Sequence, residues 1–365
     1  MERALATTLA LLGRWHPVLV PAQCSMHLGS AMRVDHPADG VAGDAAVTGG
    51  AGFIGHHLVE GLLARDHRVR VIDDFSTGNR SRLARIHDRI HLVEGSILDP
   101  AALDDAVAGC DVVFHLAAVA SVAQSLVAPR MTNEVNTSGT IEVMLAAARA
   151  GVRRVVFAGS CAVYGAPAEL PLRETRSPDP QSPYGASKLA AEHYVHTLGD
   201  ALGVETVVLR YFNVFGPGQD PASEYAAVVP RFVTAVLEDR RPIINGSGDI
   251  SRDYVYVDDV VEANLLASRP AVRPRLTCNI AGGSRHSLLE LLEVICDAAG
   301  SQADPVFGPP RAGDIPHSLA DISLARQELG FRVSVPFDEA IARTVAWYQG
   351  RVPGAGGDAP DAAGE

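Results

Sequence analysis

The chain is 365 residues long, 47% apolar and 20% charged, with 31 Lys+Arg against 43 Asp+Glu and a formal net charge of -12. That length supports two lobes or one large domain, and the acidic balance excludes a protein whose affinity comes from neutralising a nucleic-acid backbone. No window reaches the ~20 uninterrupted apolar residues of a membrane-spanning helix, and the cysteines (Cys24, Cys110, Cys161, Cys278, Cys296) are scattered without zinc spacing, so a reduced, cytoplasmic setting with no metal is expected.

Residues 1–43 lack the periodicity of the rest of the chain. An apolar stretch from Ala4 to Leu12 behind Glu2 and Arg3 has some look of a signal peptide, but the two charges cancel and no small-x-small cleavage site comes after it. The expectation is a disordered extension, or an upstream start codon with Met26 and Met32 as alternatives. Strand-like runs at 44–48, 69–73, 90–93, 112–116, 155–158 and 206–209 then alternate with helical patterns at 54–64, 101–108, 133–150 and 184–202. Several of the runs are apolar nearly throughout, as strands covered on both faces are. Repeated β-then-α units predict a Rossmann-like α/β fold: a doubly wound parallel sheet with right-handed crossovers and its ligand crevice at the carboxyl ends of the strands. Past Asn213 the alternation gives way to Gly/Pro-rich loops (216–221, 245–251) and helices at 228–237, 260–266 and 288–299, which predicts a smaller α/β lobe over that edge. The expected division is a dinucleotide-binding domain of 44–213 plus about 255–282, a second lobe of about 214–254 plus 283–350, and a disordered Gly/Ala/Pro/Asp-rich tail at 351–365.

The segment Thr48-Gly49-Gly50-Ala51-Gly52-Phe53-Ile54-Gly55 comes directly after the first run and opens the first helix. There Gly49 or Gly50 makes the tight turn, Gly52 admits a pyrophosphate to the backbone, and Gly55 allows close helix–strand packing. Asp73, close to the expected ~20 residues beyond, suits the two hydroxyls of an adenosine ribose and repels a 2′-phosphate, favouring NAD over NADP. The alternative for Asp73 is a turn cap within Asp73-Asp74-Phe75-Ser76-Thr77-Gly78-Asn79, and Arg80 stands nearby.

In Ser182-Pro183-Tyr184-Gly185-Ala186-Ser187-Lys188, Tyr184 and Lys188 stand four apart near a helix start and share one face. The spacing predicts that the ammonium favours the phenolate, so that Tyr184 removes a hydroxyl proton while hydride leaves the same carbon. Ser160, at the end of the fifth strand, is placed to hold the same oxygen.

At this point the sequence resembles the extended short-chain dehydrogenase/reductases, and within them the nucleotide-sugar 4-epimerases of the UDP-glucose and UDP-N-acetylglucosamine type. The resemblance covers about residues 45–349 and rests on collinear motifs: the Thr48–Gly55 loop, His115-Leu116-Ala117-Ala118, Asn136 ahead of Gly139-Thr140, Ser160 with Val163-Tyr164-Gly165, Tyr184/Lys188, Arg210-Tyr211-Phe212-Asn213, Arg252-Asp253-Tyr254-Val255 and Arg311-Ala312-Gly313-Asp314. It implies bound NAD recycled within each turnover, a 4-keto sugar that turns over about its diphosphate link, and catalysis by Ser160, Tyr184 and Lys188. It further implies a cofactor site of Gly49, Gly52, Phe53, Ile54, Gly55, Asp73, Asp74, Ser76, Thr77, Gly78, Asn79, Ser96, Ile97, Leu116, Ala117, Ala118, Asn136, Ala158, Tyr184, Lys188 and Tyr211. The implied sugar-nucleotide site is Ser121, Ser160, Cys161, Asn213, Val228, Phe232, Ile243, Asn245, Arg252, Arg311, Asp314 and Ser318; a homodimer is implied too. The forked donors of Arg252 and Arg311 suit phosphate oxygens. Asp253, Asp258 and Asp259 read as helix-start and loop acceptors.

Three sites discriminate among relatives, and Ser96 departs from the family pattern. The Thr-Asp-Glu triplet of 4,6-dehydratases is replaced by Ser160, Cys161 and Ala162, which lacks the acids for elimination. Asp220 stands where relatives acting on UDP-glucuronate place an arginine. Ser318 takes the place of a bulky tyrosine that excludes N-acetylated sugars, so UDP-GlcNAc/UDP-GalNAc are expected substrates beside UDP-glucose/UDP-galactose. Ser96 replaces the usual aspartate at the adenine. The competing readings are a UDP-glucuronate 4-epimerase, another NAD-dependent dehydratase or reductase, and a nucleotide-sensing protein on the same fold.

Overall fold

The computed structural model describes residues 43–166, 169–221, 227–310 and 315–350. The expectations placed on residues 1–42 and 351–365, and on Arg311 and Asp314, lie outside the described residues.

Seven parallel strands form the central sheet: β1 (Asp44–Thr48), β2 (Arg68–Asp73), β3 (Ile90–Glu94), β4 (Val112–His115), β5 (Arg154–Ser160), β6 (Glu205–Tyr211) and, further along the chain, Leu276–Ile280. Between them and the small strands β7 (Asn213–Phe215), β8 (Ile243–Asn245) and β9 (Ser251–Tyr256), the seventh takes the label β10; β11 (Arg285–Ser287) and β12 (Val306–Gly308) complete the set. The sheet order is β10-β6-β5-β4-β1-β2-β3, so the winding reverses between β1 and β4 and the crevice there is the natural ligand site. The predicted fold is realised. All six predicted runs are strands. Leu276–Ile280, not among them, is a seventh, and Val207–Tyr211 of β6 pair with it in register.

The helices are α1 (Phe53–Leu63), α2 (Pro100–Val107), α3 (Val122–Val127), α4 (Pro129–Asn133), α5 (Gly139–Arg149), α6 (Pro183–Leu202), α7 (Val228–Leu237), α8 (Val257–Ala267), α9 (Leu288–Ala299), α10 (Ser323–Leu329) and α11 (Phe337–Gln349). The single helix expected over 133–150 is instead three pieces, because Pro129 opens a first turn and a π-turn at Glu134–Ser138 intervenes before α5. Helix α6 shows its limits in the sequence: Ser182 caps the Gly185 N–H at 3.1 Å, Pro183 occupies the first turn, and Gly203 ends the helix at φ 75°.

Apolar clusters fill both faces of the sheet. Leu58, Leu62 and Val260 pack on one side, Leu103, Met144 and Val195 on the other. A third cluster, with Phe215, Phe232, Ile295 and Ile341, forms the core of the smaller lobe, where α7, α9 and α11 back the strands β9 and β7. No helix among the described residues is long and apolar enough to cross a membrane.

Candidate active site at the sheet's switch point

The loop after β1 and the loop after β4 meet at the reversal of the winding. Gly49 has φ +71°, and a Cβ on it would stand 2.8 Å from the Ala117 backbone; one on Gly55 would stand 2.1 Å from the Gly49 carbonyl oxygen, so both positions require glycine. The Thr48 hydroxyl accepts from the Leu116 and Ala117 N–H groups at 3.2 and 3.1 Å. It also contacts His115 Nδ1 at 2.7 Å, while Nε2 lies 2.9 Å from the Thr140 hydroxyl, which donates to the Asn136 carbonyl. That chain of donors assigns the proton to Nε2. Burial, then the charge of Lys188, pushes His115 down to about 3, so the ring is a neutral brace. Asn136, 1% exposed, clamps both backbone groups of Val119 and donates to the Ser187 hydroxyl. Both amide N–H donors are used within the protein, which makes it a brace for the loop after β4.

At its N-terminus α1 has neither a capping side chain nor an acid in the first turn, leaving Phe53, Ile54 and Gly55 at an open helix start that suits an anion. Asp73 is 7% exposed; one carboxylate oxygen accepts from Ala51 N–H and the other from Phe75 N–H, each at 2.8 Å. The turn cap is therefore real, and it coexists with lone pairs free for further donors. Arg80 is engaged with Glu94 and lies over the Phe75 ring at 3.9 Å, and Arg82 donates to the Ala51 and Gly218 carbonyls, so both arginines have partners within the protein. An open helix start, a glycine cradle and a carboxylate at the end of β2 fit the pyrophosphate and ribose of a dinucleotide.

The remaining expected cofactor positions surround this crevice. Asp74 accepts from the Ser76 N–H and hydroxyl, and Asn79 from Ser81, so the exposed turn through Thr77 and Gly78 is held by its own side chains. Ser96 accepts from Leu98 N–H at 3.2 Å, Ile97 and Ala158 are buried, and Leu116, Ala117 and Ala118 are half-buried. Tyr211 is 6% exposed and donates to Asn264 at 2.9 Å, so its hydroxyl is likewise committed.

Ser160, Cys161 and Tyr184 come together at the carboxyl end of β5. Ser160 ends that strand and accepts from Ala162 N–H at 3.2 Å, capping the 3-10 turn Cys161–Tyr164. A Cβ on Gly185 would lie 2.6 Å from the Ala162 carbonyl oxygen, so glycine lets the start of α6 press against that turn. Burial pushes the Tyr184 phenol up, a hydrogen bond with Ser160 pulls it down, and the nearby Cys161 pushes it up again. Lys188 is not among the groups that shift it. Lys188 Nζ lies 4.4 Å from the centre of the Phe157 ring. Burial drives Lys188 down to about 7, opposed by Glu192. Cys161 is pushed up to about 12 by burial, against the pull of Arg252, which makes it an inert thiol.

The Arg252 effect on Cys161 brings the β9 arginine to the same crevice. Arg252 donates from Nη1 to the Ser251 carbonyl at 3.0 Å and to the Pro316 carbonyl at 3.3 Å. Its neighbour Asp253 is wholly buried, accepts from Gly282, Gly283 and Ala320 N–H groups, and burial pushes it up to about 7, as befits a loop acceptor. Ser318 is 8% exposed, and its hydroxyl has no partner among the described residues. Asn213 is half-buried on β7, Val228 half-buried at the start of α7, Ser121 caps α3, Ile243 is 53% exposed and Asn245 half-buried beside Gly308. Phe232 packs in the core of the smaller lobe at 3% exposure, where α7 lies against α9.

Sequence reasoning missed one polar network. Arg210 forks onto Glu192 at 3.0 and 2.6 Å and donates to the Tyr164 hydroxyl at 2.8 Å, which donates to Asn279 at 2.7 Å. The available signal was Glu192 itself, one helical turn beyond Lys188.

A model of the NAD dependent epimerase/dehydratase family matches residues 45–281. A UDP-glucose 4-epimerase of Mycolicibacterium smegmatis is 40% identical over 310 residues, 84% of this chain and 98% of that one. Among solved structures, a UDP-N-acetylglucosamine 4-epimerase from Methanobrevibacter ruminantium is similar with a TM-score of 0.81 at 37% identity, covering 85% of this chain and 99% of that one. A Thermus thermophilus UDP-glucose 4-epimerase in complex with NAD has a TM-score of 0.78 at 36% identity, covering 85% and 100%. Joined to a crevice whose loop, helix start and acid suit a dinucleotide, these likenesses establish that the chain belongs to the NAD-dependent epimerase/dehydratase family, with NAD as its cofactor.

Proposed function

We propose that the protein inverts C4 of a UDP-hexose, accepting UDP-GlcNAc/UDP-GalNAc beside UDP-glucose/UDP-galactose. The observation that carries this reading is that Ser160, at the carboxyl end of β5, and Tyr184, in the first turn of α6, stand where Gly185 lets that helix start press against the Cys161–Tyr164 turn, with Lys188 one turn behind. NAD, when bound, supplies a reversible hydride acceptor. Tyr184 takes the C4 hydroxyl proton and later returns it, while Ser160 holds the same oxygen. Lys188, near its midpoint at neutral pH, is the group whose charge a small change of surroundings can switch. Asn213 and Arg252 hold the diphosphate as the pivot about which the 4-keto sugar turns.

Elimination of the C6 hydroxyl would need acids where Cys161 and Ala162 stand, and a glucuronate carboxylate would meet Asp220. Ser318, where a bulky tyrosine would exclude an acetamido group, is small, and its buried hydroxyl has no partner among the described residues. Residues 44–213 with 255–282 would hold the cofactor and the remaining lobe the sugar nucleotide. The protein would work in the cytoplasm as a homodimer through α5 and α6, where Tyr194 is 44% exposed.

Proton NMR in heavy water with UDP-GlcNAc, then UDP-glucose, and no added cofactor tests the reading. The C4 epimer should appear without deuterium at C5. A 6-methyl signal, or net NADH absorbance, would instead mean elimination or dehydrogenation. Tyr184→Phe should lower turnover by about 10³-fold with nucleotide binding intact; unchanged turnover would sink the catalytic assignment.

A further inference from the structure

The loop that leaves β7 is held by its carbonyl groups. Three consecutive ones accept hydrogen bonds from three different elements: Pro217 from His57 Nε2 of α1 at 2.8 Å, Gly218 from Arg82 Nη2 at 2.8 Å, and Gln219 from the Tyr348 hydroxyl of α11. Tyr348 belongs to the smaller lobe, as β7 does. His57 and Arg82 belong to the cofactor side, because α1 opens on the glycine loop and Arg82 closes the 3-10 turn Arg80–Arg82 that follows the Asp73 turn.

Arg82 also holds the opposite side of the crevice. Its Nη1 donates to the Ala51 carbonyl at 3.0 Å, so one half-buried guanidinium spans two carbonyls that lie 31 residues before it and 136 residues after it in the chain. Ala51 is part of the glycine loop itself. Its N–H donates to the Asp73 carboxylate at 2.8 Å, and its carbonyl also takes the Asn79 N–H at 3.0 Å. Gly218 comes five residues after Asn213, the first residue of β7, and β7 pairs with β9, the strand that carries Arg252. A guanidinium carries its donors on separate nitrogens in one rigid plane, which suits two carbonyls on different segments; an ammonium has a single nitrogen for both.

We propose that Arg82 is a positioning residue that couples the two halves of the crevice: with NAD on the glycine loop, the guanidinium fixes the loop after β7, and with it the Asn213 strand, at the spacing that hydride transfer needs. The inference rests on the proposed reading of the crevice as a site for a sugar nucleotide beside NAD. That spacing matters because a displacement of ~1 Å from the reactive geometry can lower a rate ~100-fold. The route is a contiguous one, from Asp73 through Ala51 and Arg82 to Gly218, with a hydrogen bond at every step.

Hydrogen–deuterium exchange of the full-length protein, NAD-loaded and NAD-stripped, reads the coupling without any sugar. NAD should slow exchange of residues 213–221 at least about threefold in the parent and leave it unchanged in Arg82→Ala, while residues 48–55 are slowed equally in both. Protection of 213–221 that survives the substitution, or that NAD does not produce in the parent, overturns the proposal; so does loss of protection at both segments, which would make Arg82 a support of the cofactor loop alone. With UDP-glucose, Arg82→Ala should lower kcat about tenfold with NAD content unchanged. Guanidinium chloride at about 10 mM should restore most of that loss where methylammonium does not. An unchanged kcat, or a loss that guanidinium fails to relieve, counts against the bridge and overturns it. If Arg82→Ala does not fold, Arg82→Lys decides alone: it keeps the charge and one donor nitrogen, so NAD should no longer protect 213–221, and retained protection is the refuting result. Absence of turnover with UDP-glucose and UDP-GlcNAc in the parent would defeat the functional reading while leaving the NAD-dependent exchange of 213–221 as it stands, so the two failures are distinguishable.

Discussion

Lys188→Met should make the nucleotide-free protein more stable at neutral pH while abolishing turnover. Lys188 is 3% exposed and makes no hydrogen bond among the described residues, and burial takes it from 10.5 to about 7. At 1.36 kcal/mol per pH unit, keeping the charged form inside costs about 5 kcal/mol at pH 7, an upper figure that relaxation and residual hydration reduce to about 2–3. The sign comes from proton binding. Between 7 and 10.5 the unfolded chain holds more protons on this amine than the folded one, so the native state gains stability as pH rises through that window. Methionine keeps the unbranched stem, and the sulfur retains contact with the Phe157 ring. Urea unfolding followed by circular dichroism at pH 7, 8, 9 and 10 should show the variant ahead at pH 7 and the gap closing towards pH 10. The protein must first be freed of nucleotide, since any ligand of the native state adds its own stabilisation. A variant less stable than the parent at pH 7, or a gap that ignores pH, would refute the reasoning.

The site makes two further outcomes testable. Ser318→Tyr should cut kcat/KM for UDP-GlcNAc at least tenfold and spare UDP-glucose, because the larger ring would take the place proposed for the acetamido group; equal loss with both sugars would remove Ser318 from the specificity argument. Iodoacetamide at pH 8 should leave turnover unchanged over an hour, since a thiol pushed up to about 12 offers almost no thiolate; rapid inactivation prevented by Cys161→Ala would show that thiol to be reactive.

How much of this was legible depended on how local the determinant is. The six runs of β1 to β6 and the glycine loop are written in contiguous residues, and their places are set by burial on both faces and by the turn. Strand β10 was not, because Leu276-Thr277-Cys278-Asn279-Ile280 is short and half polar, and it is a strand because β6 offers it a ladder. The π-turn before α5 is set by tertiary contacts of Asn136 with Val119 and Ser187, partners 17 and 51 residues away. Asp73 was legible as to place and ambiguous as to role, and both roles proved compatible because one carboxylate has four lone-pair directions. The Tyr184–Lys188 spacing was legible as a shared helix face, but the surroundings of the amine were not, because helical spacing does not fix the direction of a flexible side chain. Phe157 and His115, contributed by two other strands, decide where the amine goes.

The same tertiary environment explains the division of charge in the crevice. Burial moves Tyr184 up, Cys161 to about 12, Asp253 to about 7, Lys188 down to about 7 and His115 to about 3, each towards its neutral form. The charges that persist are guanidinium groups: Arg210 locked to Glu192, and Arg252 anchored by the Ser251 and Pro316 carbonyls. A guanidinium holds its charge at any pH a protein survives. On the proposed reading, attraction for an anionic diphosphate would draw on Arg252 and on the open start of α1, neither of which titrates, while proton movement would fall to Tyr184 and Lys188. An arginine at position 188 would keep the positive charge but lose the proton lability. That is a physical reason for a chain otherwise built with arginine to keep its single lysine there.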